Sequence, residues 1–192
     1  VDVQMGANNL ILNSSFEGDY KSETFSEETN LDEVSDVYSD RLTHWSYENV
    51  EIVSESGSYC KSGNAAVLTN GWLEQQVNNP PKSTAYVLSF SAKGEEDIVV
   101  LVNTPKDEFL RTISLNESWY RYSVDIKATS SEYIRVFLSA TNAVICDIQL
   151  ERGFNVTDWK PSEDDTDDAL QSMQTYAYLL DAIRNGNTSI LG

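Results

Sequence analysis

The sequence is poor in basic residues and has no long apolar run, and each shortage removes a class of protein. Lys and Arg total 13 against 31 Asp and Glu, which gives a net charge of −18. This charge disfavours nucleic acids and anionic membranes as partners, but it is compatible with cations, neutral glycans and other proteins. No apolar run approaches the roughly 18 residues that a membrane-spanning helix needs, so we expect no membrane insertion. The first residues also lack the basic start of a signal peptide.

Groups that usually carry catalysis are scarce. The chain has one histidine, His44, and two cysteines, Cys60 and Cys146. It contains no H-E-x-x-H, no Gly-rich phosphate loop and no G-x-S-x-G elbow. A nucleophile pair of Cys60 and His44 is a weaker interpretation than a protein without catalysis. A pair of acids for glycoside hydrolysis would need a cleft, which a small sandwich rarely provides. We therefore expect a protein that is not an enzyme.

The cysteines do not form the dense framework that is typical of small secreted domains. Cys146 stands among apolar residues in "AVICDIQL". We expect it to be a small buried hydrophobe rather than one half of a disulfide.

Period-two alternation of apolar and polar residues fills the middle of the chain. It is clearest in "TAYVLSFSAKG", "WYRYSVDIKA", "EYIRVFLSA" and "AVICDIQLE". In the last of these, Val144, Cys146, Ile148 and Leu150 share one predicted face. Shorter candidates include Asn9–Leu12, and "NG" at Asn70–Gly71 is one of several turn signals. About ten short strands at this spacing predict an all-β fold, an antiparallel β-sandwich over residues 1–160.

Two segments break the strand pattern. Glu17 to Asp40 carries nine acidic residues against a single lysine. We interpret it as a solvated surface loop, and the alternative is a contact surface for a basic partner or a cation. The chain also starts without Met and stops within "GNTSILG", so we expect it to be the ordered piece of a longer polypeptide.

After Pro161 the period changes to that of a helix. Ser162 is a good N-cap, and the three acidic residues that follow it suit the positive end of the helix dipole. We predict an assembly helix over residues 161–185, which ends at Asn185-Gly186, and the start of a further segment over residues 186–192. Two heptads are too short to stand alone, so the stripe must pack on the sandwich or on copies of itself. The stripe consists of Ala169, Met173, Tyr176, Leu180 and Ile183.

Tryptophans are the candidates for ligand contact, because an aromatic face can stack on the C–H face of a sugar ring. The competing interpretation is that a Trp in a sandwich packs in the core or at its rim. Trp72 follows a turn, and Trp119 points away from the apolar face of its strand. We therefore name Trp72 and Trp119 as the candidate glycan-binding residues.

Five stretches carry a family resemblance, namely "NLILNSSFEGD", "SGNAAVLT", "YVLSFSAKG", "SWYRYSVDI" and "VICDIQLERG". In this order they resemble the jelly-roll carbohydrate-binding modules of the galactose-binding-like type. The resemblance spans about Asn9 to Glu151 and implies an antiparallel jelly roll. The later stretches "DIQLERGFNVTDWKPSEDD" and "LLDAIRNGNTSILG" resemble tail and fibre proteins of tailed bacteriophages.

This resemblance implies a virion structural protein of a phage tail, assembled in the host cytoplasm, with a display domain that binds host-surface glycan or serves as a spacer. Its implied partners are copies of itself, as a homotrimer, and other tail proteins. The Trp159–Pro161 stretch would close the sandwich edge before the helix. The alternatives are a module of a secreted bacterial glycanase, which would usually have a flexible linker instead of a helix, and a surface adhesin.

The resemblance also implies a structural calcium ion between the N-terminal stretch and the last strand. The matching residues are Glu17 and Asp147, with Asp19 as a further carboxylate and backbone carbonyls of residues 13–19 as additional ligands. Where such modules often have two adjacent acids, this chain has Cys146-Asp147. The competing interpretation is that Glu17 and Asp147 are solvated or accept hydrogen bonds from backbone N–H groups.

Overall fold

The computed structural model describes residues 7–18, 41–55, 57–127 and 132–165, and within these ranges the fold is almost entirely antiparallel β-sheet. Seven strands replace the ten that the sequence predicts, because pairs of short candidates merge into long strands. The predicted helical stripe, Ala169 to Ile183, lies outside the described residues. The strands are β1 (Ser46–Ser54), β2 (Asn64–Asn78), β3 (Tyr86–Gly94), β4 (Asp97–Asn103), β5 (Glu108–Ser114), β6 (Tyr120–Ile126) and β7 (Tyr133–Arg152).

Three long strands, β1, β2 and β7, run through both layers of the sandwich. In the first layer, residues 135–140 of β7 pair with β2 on one side and β4 on the other, and β5 pairs with β4. In the second layer, residues 143–152 of β7 pair with β3, which pairs with β6. A single hydrogen-bonded sheet therefore folds over on itself, and one hydrophobic core contains β4 residues such as Val100 together with β3 residues such as Phe90.

The bend between the layers falls at Asn70–Gly71, which the sequence predicts as a turn between two strands. The structure shows one continuous strand there, with a register shift against β1 between Glu48 and Val50. Asn49 and Asn70 adopt positive φ, which asparagine tolerates better than most residues. A Cβ at Gly71 would lie 2.4 Å from the Asn49 carbonyl oxygen, so this crossing needs glycine.

A second irregularity in β7 changes which residues face the core. Between Ser89 and Ser91 of β3, β7 carries one extra residue, and Asp147 there has a φ of 52°. This β-bulge reverses the alternation. Ile145 and Ile148 therefore both face the main core, and the predicted face that joined Cys146 to Ile148 is wrong.

The two cysteines form a disulfide, so the expectation of a free buried Cys146 is wrong. Cys60 and Cys146 are bonded, with Cα atoms 5.8 Å apart, across a sequence separation of 86 residues. The bulge turns Cys146 outward toward the loop that carries Cys60. Trp119, Val53 and Val144 pack around the bond and form a small second cluster with Ala65.

Asn9 ties the N-terminal stretch to the last strand, although residues 9–12 are not the strand that the sequence predicts. The fully buried side chain donates to the Ile148 and Lys160 carbonyl oxygens and accepts from the Leu150 backbone N–H. Leu10 N also donates to Leu150 O at 2.7 Å. Side-chain hydrogen bonds therefore replace many of the backbone hydrogen bonds that two paired strands would make here.

The Trp159–Pro161 stretch lies against this N-terminal segment, as the sequence predicts. The Trp159 indole N–H donates to Ser14 Oγ at 3.2 Å, and Lys160 N donates to Gln149 Oε1 at 3.0 Å. Ser162 accepts from Asp164 N at 3.2 Å, so its predicted role as an N-cap is confirmed for the helical turn at residues 163–165. No helix within the described ranges is long and apolar enough to cross a membrane.

Candidate functional site

The outward face of the first layer carries apolar side chains where solvent-facing positions of a sheet are usually polar. Cross-strand register places Phe137 opposite Leu101, and Leu101 opposite Leu110 of β5. Trp72 and Val99 both pair with Ser139 in the neighbouring row. We call this set the platform, and it consists of Trp72, Phe137, Val99, Leu101 and Leu110.

The two aromatic rings of the platform are stacked. Trp72 and Phe137 have ring centroids 5.6 Å apart and an interplanar angle of 29°. The Trp72 indole N–H donates to Glu48 Oε2 at 3.2 Å, which fixes the ring from the β1 side. Both rings are half-buried, and Leu110 at the far edge is 58% exposed. The platform is therefore an apolar surface whose aromatic rings are already held in place and which remains open to solvent.

Polar groups border the platform. Glu74 and Arg135 form an ion pair at 3.6 Å beside Phe137. Asn103 pairs with Arg135 in the next row, and its buried Oδ1 has no hydrogen-bond partner among the described residues. An open depression of about 780 Å³ extends from Val99 and Ser139 toward the acidic turn at residues 95–97. Apolar rings with convergent polar groups at their edge are the usual composition of a small-ligand site.

The outward face of the second layer is covered instead. The loop around Cys60 and the segment after β7 lie across it. Asp147, 2% exposed, accepts from the backbone N–H groups of Lys61 and Ser62 at 2.7 and 3.2 Å. Glu151 accepts from Thr157 Oγ1 at 2.7 Å. Buried carboxylates thus hold both covering segments in place.

A groove remains between these segments, and we call it the Arg121 groove. Its two adjoining depressions, of about 260 and 630 Å³, share Tyr59, Ser91 and Arg121. Arg121 lies on the outward side of β6 and donates to Ser89 Oγ, Ser91 Oγ and the Asp147 carbonyl oxygen. Partial burial lowers the pKa of Arg121, and the charges of Asp147, Glu151 and Asp158 oppose that shift.

The structure places the two predicted glycan contacts on different faces. Trp72 belongs to the open platform. Trp119 is half-buried, packs with the disulfide cluster and has Lys93 Nζ 5.1 Å from its ring centroid. They therefore do not belong to one surface, and the interpretation as rim packing describes Trp119 well.

The structure describes two of the three carboxylates of the predicted calcium site. Glu17 is exposed, and Asp19 lies outside the described residues. Both carboxylate oxygens of Asp147 already accept backbone N–H groups, as the competing interpretation proposed. Within the described ranges no three His, Cys, Asp or Glu side chains are placed to hold a metal ion. Calcium stays a prediction that depends mainly on the residues around Glu17.

Sequence reasoning missed Phe137, Arg121 and Tyr59. The period-two pattern of "EYIRVFLSA" puts Phe137 on the polar side of its strand, and a large aromatic there was the available signal. Nothing local marks Arg121 or Tyr59, because the groove depends on the bulge at Asp147 and on the disulfide. A nucleophile pair of His44 and Cys60 is ruled out, since Cys60 is bonded to Cys146.

No protein-family model matches the sequence, and a search of curated proteins finds no match. Among solved structures, the chain is similar to a family 61 carbohydrate-binding module in complex with β-1,4-galactotriose, with 17% identity, a TM-score of 0.49, and coverage of 58% of this chain and 90% of that one. It is also similar to a xylan-binding domain of family 22 from Paenibacillus barcinonensis, with 10% identity, a TM-score of 0.47, and coverage of 78% and 98%.

A third similar structure is the enzymatically active domain of Bacteriophage CBA120 tailspike protein 4. The identity is 10%, the TM-score is 0.51, and the match covers 57% of this chain but only 19% of that one. Likeness at this identity concerns the fold alone. Together with the strand order and the antiparallel pairing, it shows that this chain has the jelly-roll fold that the sequence predicts.

Proposed function

We propose that this chain is a non-catalytic glycan-binding domain and that the platform is its binding surface. The observation that carries the proposal is the stacked Trp72–Phe137 pair on a solvent-facing sheet, bordered by Arg135, Glu74 and the unpartnered Asn103 oxygen. Aromatic faces contact the C–H faces of a sugar, and the bordering groups exchange hydrogen bonds with its hydroxyls. A neutral glycan suits the platform, because the acidic turn at residues 95–97 would repel an anionic one.

The test is affinity electrophoresis and calorimetry with soluble β-1,4-galactan and xylan, the ligand classes named for two of the similar structures. We expect Trp72→Ala to weaken binding at least tenfold, which corresponds to about 1.4 kcal/mol. Tyr120→Ala is the matched control, because Tyr120 is an aromatic residue, 55% exposed, that lies away from the platform. Equal binding by the Trp72 variant, or no binding of any neutral glycan at millimolar concentration, would reject the platform.

For the biological setting, we propose a virion structural protein of a phage tail in which this domain is displayed for host adsorption. The support is the resemblance of "DIQLERGFNVTDWKPSEDD" to tail proteins and the heptad stripe after it. The stripe would join three copies through Met173 and Leu180.

The test is sedimentation of the parent chain with and without Met173→Asp plus Leu180→Asp. An unchanged mass of the assembly in the variant contradicts assembly through the stripe. Flanking genes for tape-measure or baseplate proteins would support the tail setting.

The disulfide supports a second hypothesis for the biological role, namely a module of a secreted bacterial glycanase or a surface adhesin. Disulfides persist in oxidising environments, and an exported protein meets that condition throughout its life. A virion exposed outside the host meets it only after release. A glycanase domain within the same polypeptide would replace the tail proposal while leaving the glycan-binding proposal intact.

A further inference from the structure

The Arg121 groove holds a cation whose charge is not paired directly. The three hydrogen-bond acceptors of its guanidinium are two hydroxyls and one carbonyl, all neutral. Within the described ranges, the two ion pairs are Lys61–Asp158 and Arg135–Glu74, and neither involves Arg121. These bonds fix the planar group in one orientation and leave part of its donor capacity for another acceptor.

Cations and carboxylates stand together at this groove, and the carboxylates that line it already have partners. Lys61 and Arg121 line it, and Lys93 lies over the Trp119 ring at its edge. The carboxylate of Asp147 faces the opposite donors, the N–H groups of the Cys60 loop. Asp158, which is almost fully exposed, pairs with Lys61 at 3.6 Å. The guanidinium of Arg121, which is bonded only to neutral acceptors, is therefore the charged group of the groove that suits an anionic ligand.

The walls of the groove are apolar and exposed. Tyr59 is 59% exposed and Val156 is 42% exposed. They are two of the six large hydrophobic side chains that remain exposed among the described residues, and both line the groove. An exposed aromatic ring beside a fixed guanidinium matches a ligand that has both an apolar face and a carboxylate.

We propose that the Arg121 groove is a second binding site and that it takes a carboxylate-bearing sugar, a uronic or sialic acid residue. Arg121 contacts the carboxylate, and the ring of Tyr59 contacts the sugar ring. The site is separate from the platform, on the other face of the sandwich, and does not depend on the platform binding anything.

The experiment is calorimetric titration of the 192-residue chain with an oligogalacturonate, its methyl ester and sialyllactose. The ester keeps the sugar skeleton and removes the charge. We expect one of the acidic probes to bind with submillimolar affinity and to weaken as salt rises, and the methyl ester to bind at least tenfold more weakly. Arg121→Gln should reduce acidic-sugar binding at least tenfold.

Two controls separate this site from the platform and from misfolding. Arg135→Gln removes an arginine from the first layer, and Trp72→Ala removes the platform ring; both should bind the acidic sugar as the wild type does. Tyr59→Ala should weaken binding without touching the Arg121 hydrogen bonds. The proposal is overturned if neither acidic probe binds, if acid and ester bind equally, or if a folded Arg121→Gln protein, checked by thermal melting, binds unchanged.

Discussion

The two outward faces of this sandwich differ in what covers them. On the first layer, the aromatic pair Trp72–Phe137 is open to solvent, and a half-buried ion pair lies beside it. On the second layer, the Cys60 loop and the segment after β7 cover most of the sheet. A disulfide and buried carboxylates hold them there. The open face is built from cross-strand neighbours, and the covered face from contacts between residues far apart in sequence.

This difference separates structural from ligand-binding polar groups. Asp147 and Glu151 are buried, but each has hydrogen-bond donors from the segment that covers it, so they need no ligand. Among the described residues, the buried Asn103 oxygen on the open face has no hydrogen-bond partner, and the exposed Arg121 in the remaining groove is bonded only to neutral acceptors. Such groups at the margins of apolar surfaces are therefore the better indication of function here.

The largest expected effect comes from removing the disulfide. Cys60→Ala plus Cys146→Ala should lower the free energy of unfolding by about 4 kcal/mol, because the bond closes a loop of 86 residues in the unfolded chain. Guanidinium denaturation of the wild type with and without reductant is the measurement. The platform should still bind its glycan in the reduced protein, whereas the Arg121 groove should lose its acidic sugar because the Tyr59 wall is released. An unchanged denaturation midpoint under reductant would contradict the proposed role of the bond.

The next effect tests what Asp147 does. Asp147→Asn should destabilise the protein by about 2 kcal/mol, since the amide loses one of two charge-assisted bonds to the Lys61 and Ser62 N–H groups. Thermal melts in calcium and in chelator measure this and the calcium prediction together. The calcium prediction requires that calcium raise the melting temperature of the wild type by mass action and raise that of the variant less. Identical melts of metal-stripped wild type with and without calcium would leave Asp147 as a loop anchor only.

A smaller effect is expected in the core that both faces share. The Tyr86 hydroxyl donates to the Pro81 carbonyl oxygen, and Tyr86→Phe should cost about 1 kcal/mol. Burial raises the pKa of Tyr86 above its ordinary value of 10.0, and the charge of Arg152 opposes the rise. Its contribution is thus complete below about pH 10 and is lost as pH rises toward the folded-state pKa. Urea denaturation from pH 8 to 11 should show a shallower alkaline decline in the variant; an equal decline would contradict this.

How far the sequence could predict this molecule depends on the kind of contact. Alternation predicted the antiparallel sandwich and β3 within "TAYVLSFSAKG", because a strand with one buried face leaves a period of two, and the resemblance implied the jelly roll. It failed at Asn70–Gly71 and at Asp147, where single residues bend or bulge a continuous strand. The positive φ at Asn70 and Asp147 leaves no periodic trace, so turn and bend look alike in the sequence.

The candidate sites follow the same division. Trp72 was named as a candidate glycan contact because it follows the predicted turn at Asn70–Gly71, and the structure stacks its ring with that of Phe137 on the neighbouring strand. The disulfide was missed because one extra residue in β7 decides that Cys146 points outward. The Arg121 groove depends on that same bulge, since Arg121 reaches the Asp147 carbonyl there. The disulfide and the groove both depend on a bulge that interrupts the alternation of apolar and polar residues, so the alternation could not predict them.

The smallest expected effect concerns the ion pair at the edge of the platform. Glu74 and Arg135 lie 3.6 Å apart, with side chains 29% and 42% exposed, so solvent screens their attraction. A double-mutant cycle with Glu74→Gln and Arg135→Gln should give a coupling energy of about 0.5 kcal/mol that falls with added salt. Arg121→Gln should cost more, because it leaves the hydroxyls of Ser89 and Ser91 without their donor. Urea denaturation of the four proteins of the cycle measures the coupling. A coupling well above 1 kcal/mol that does not respond to salt would mean that water is excluded from the platform, and the contrast between an open and a covered face would then fail.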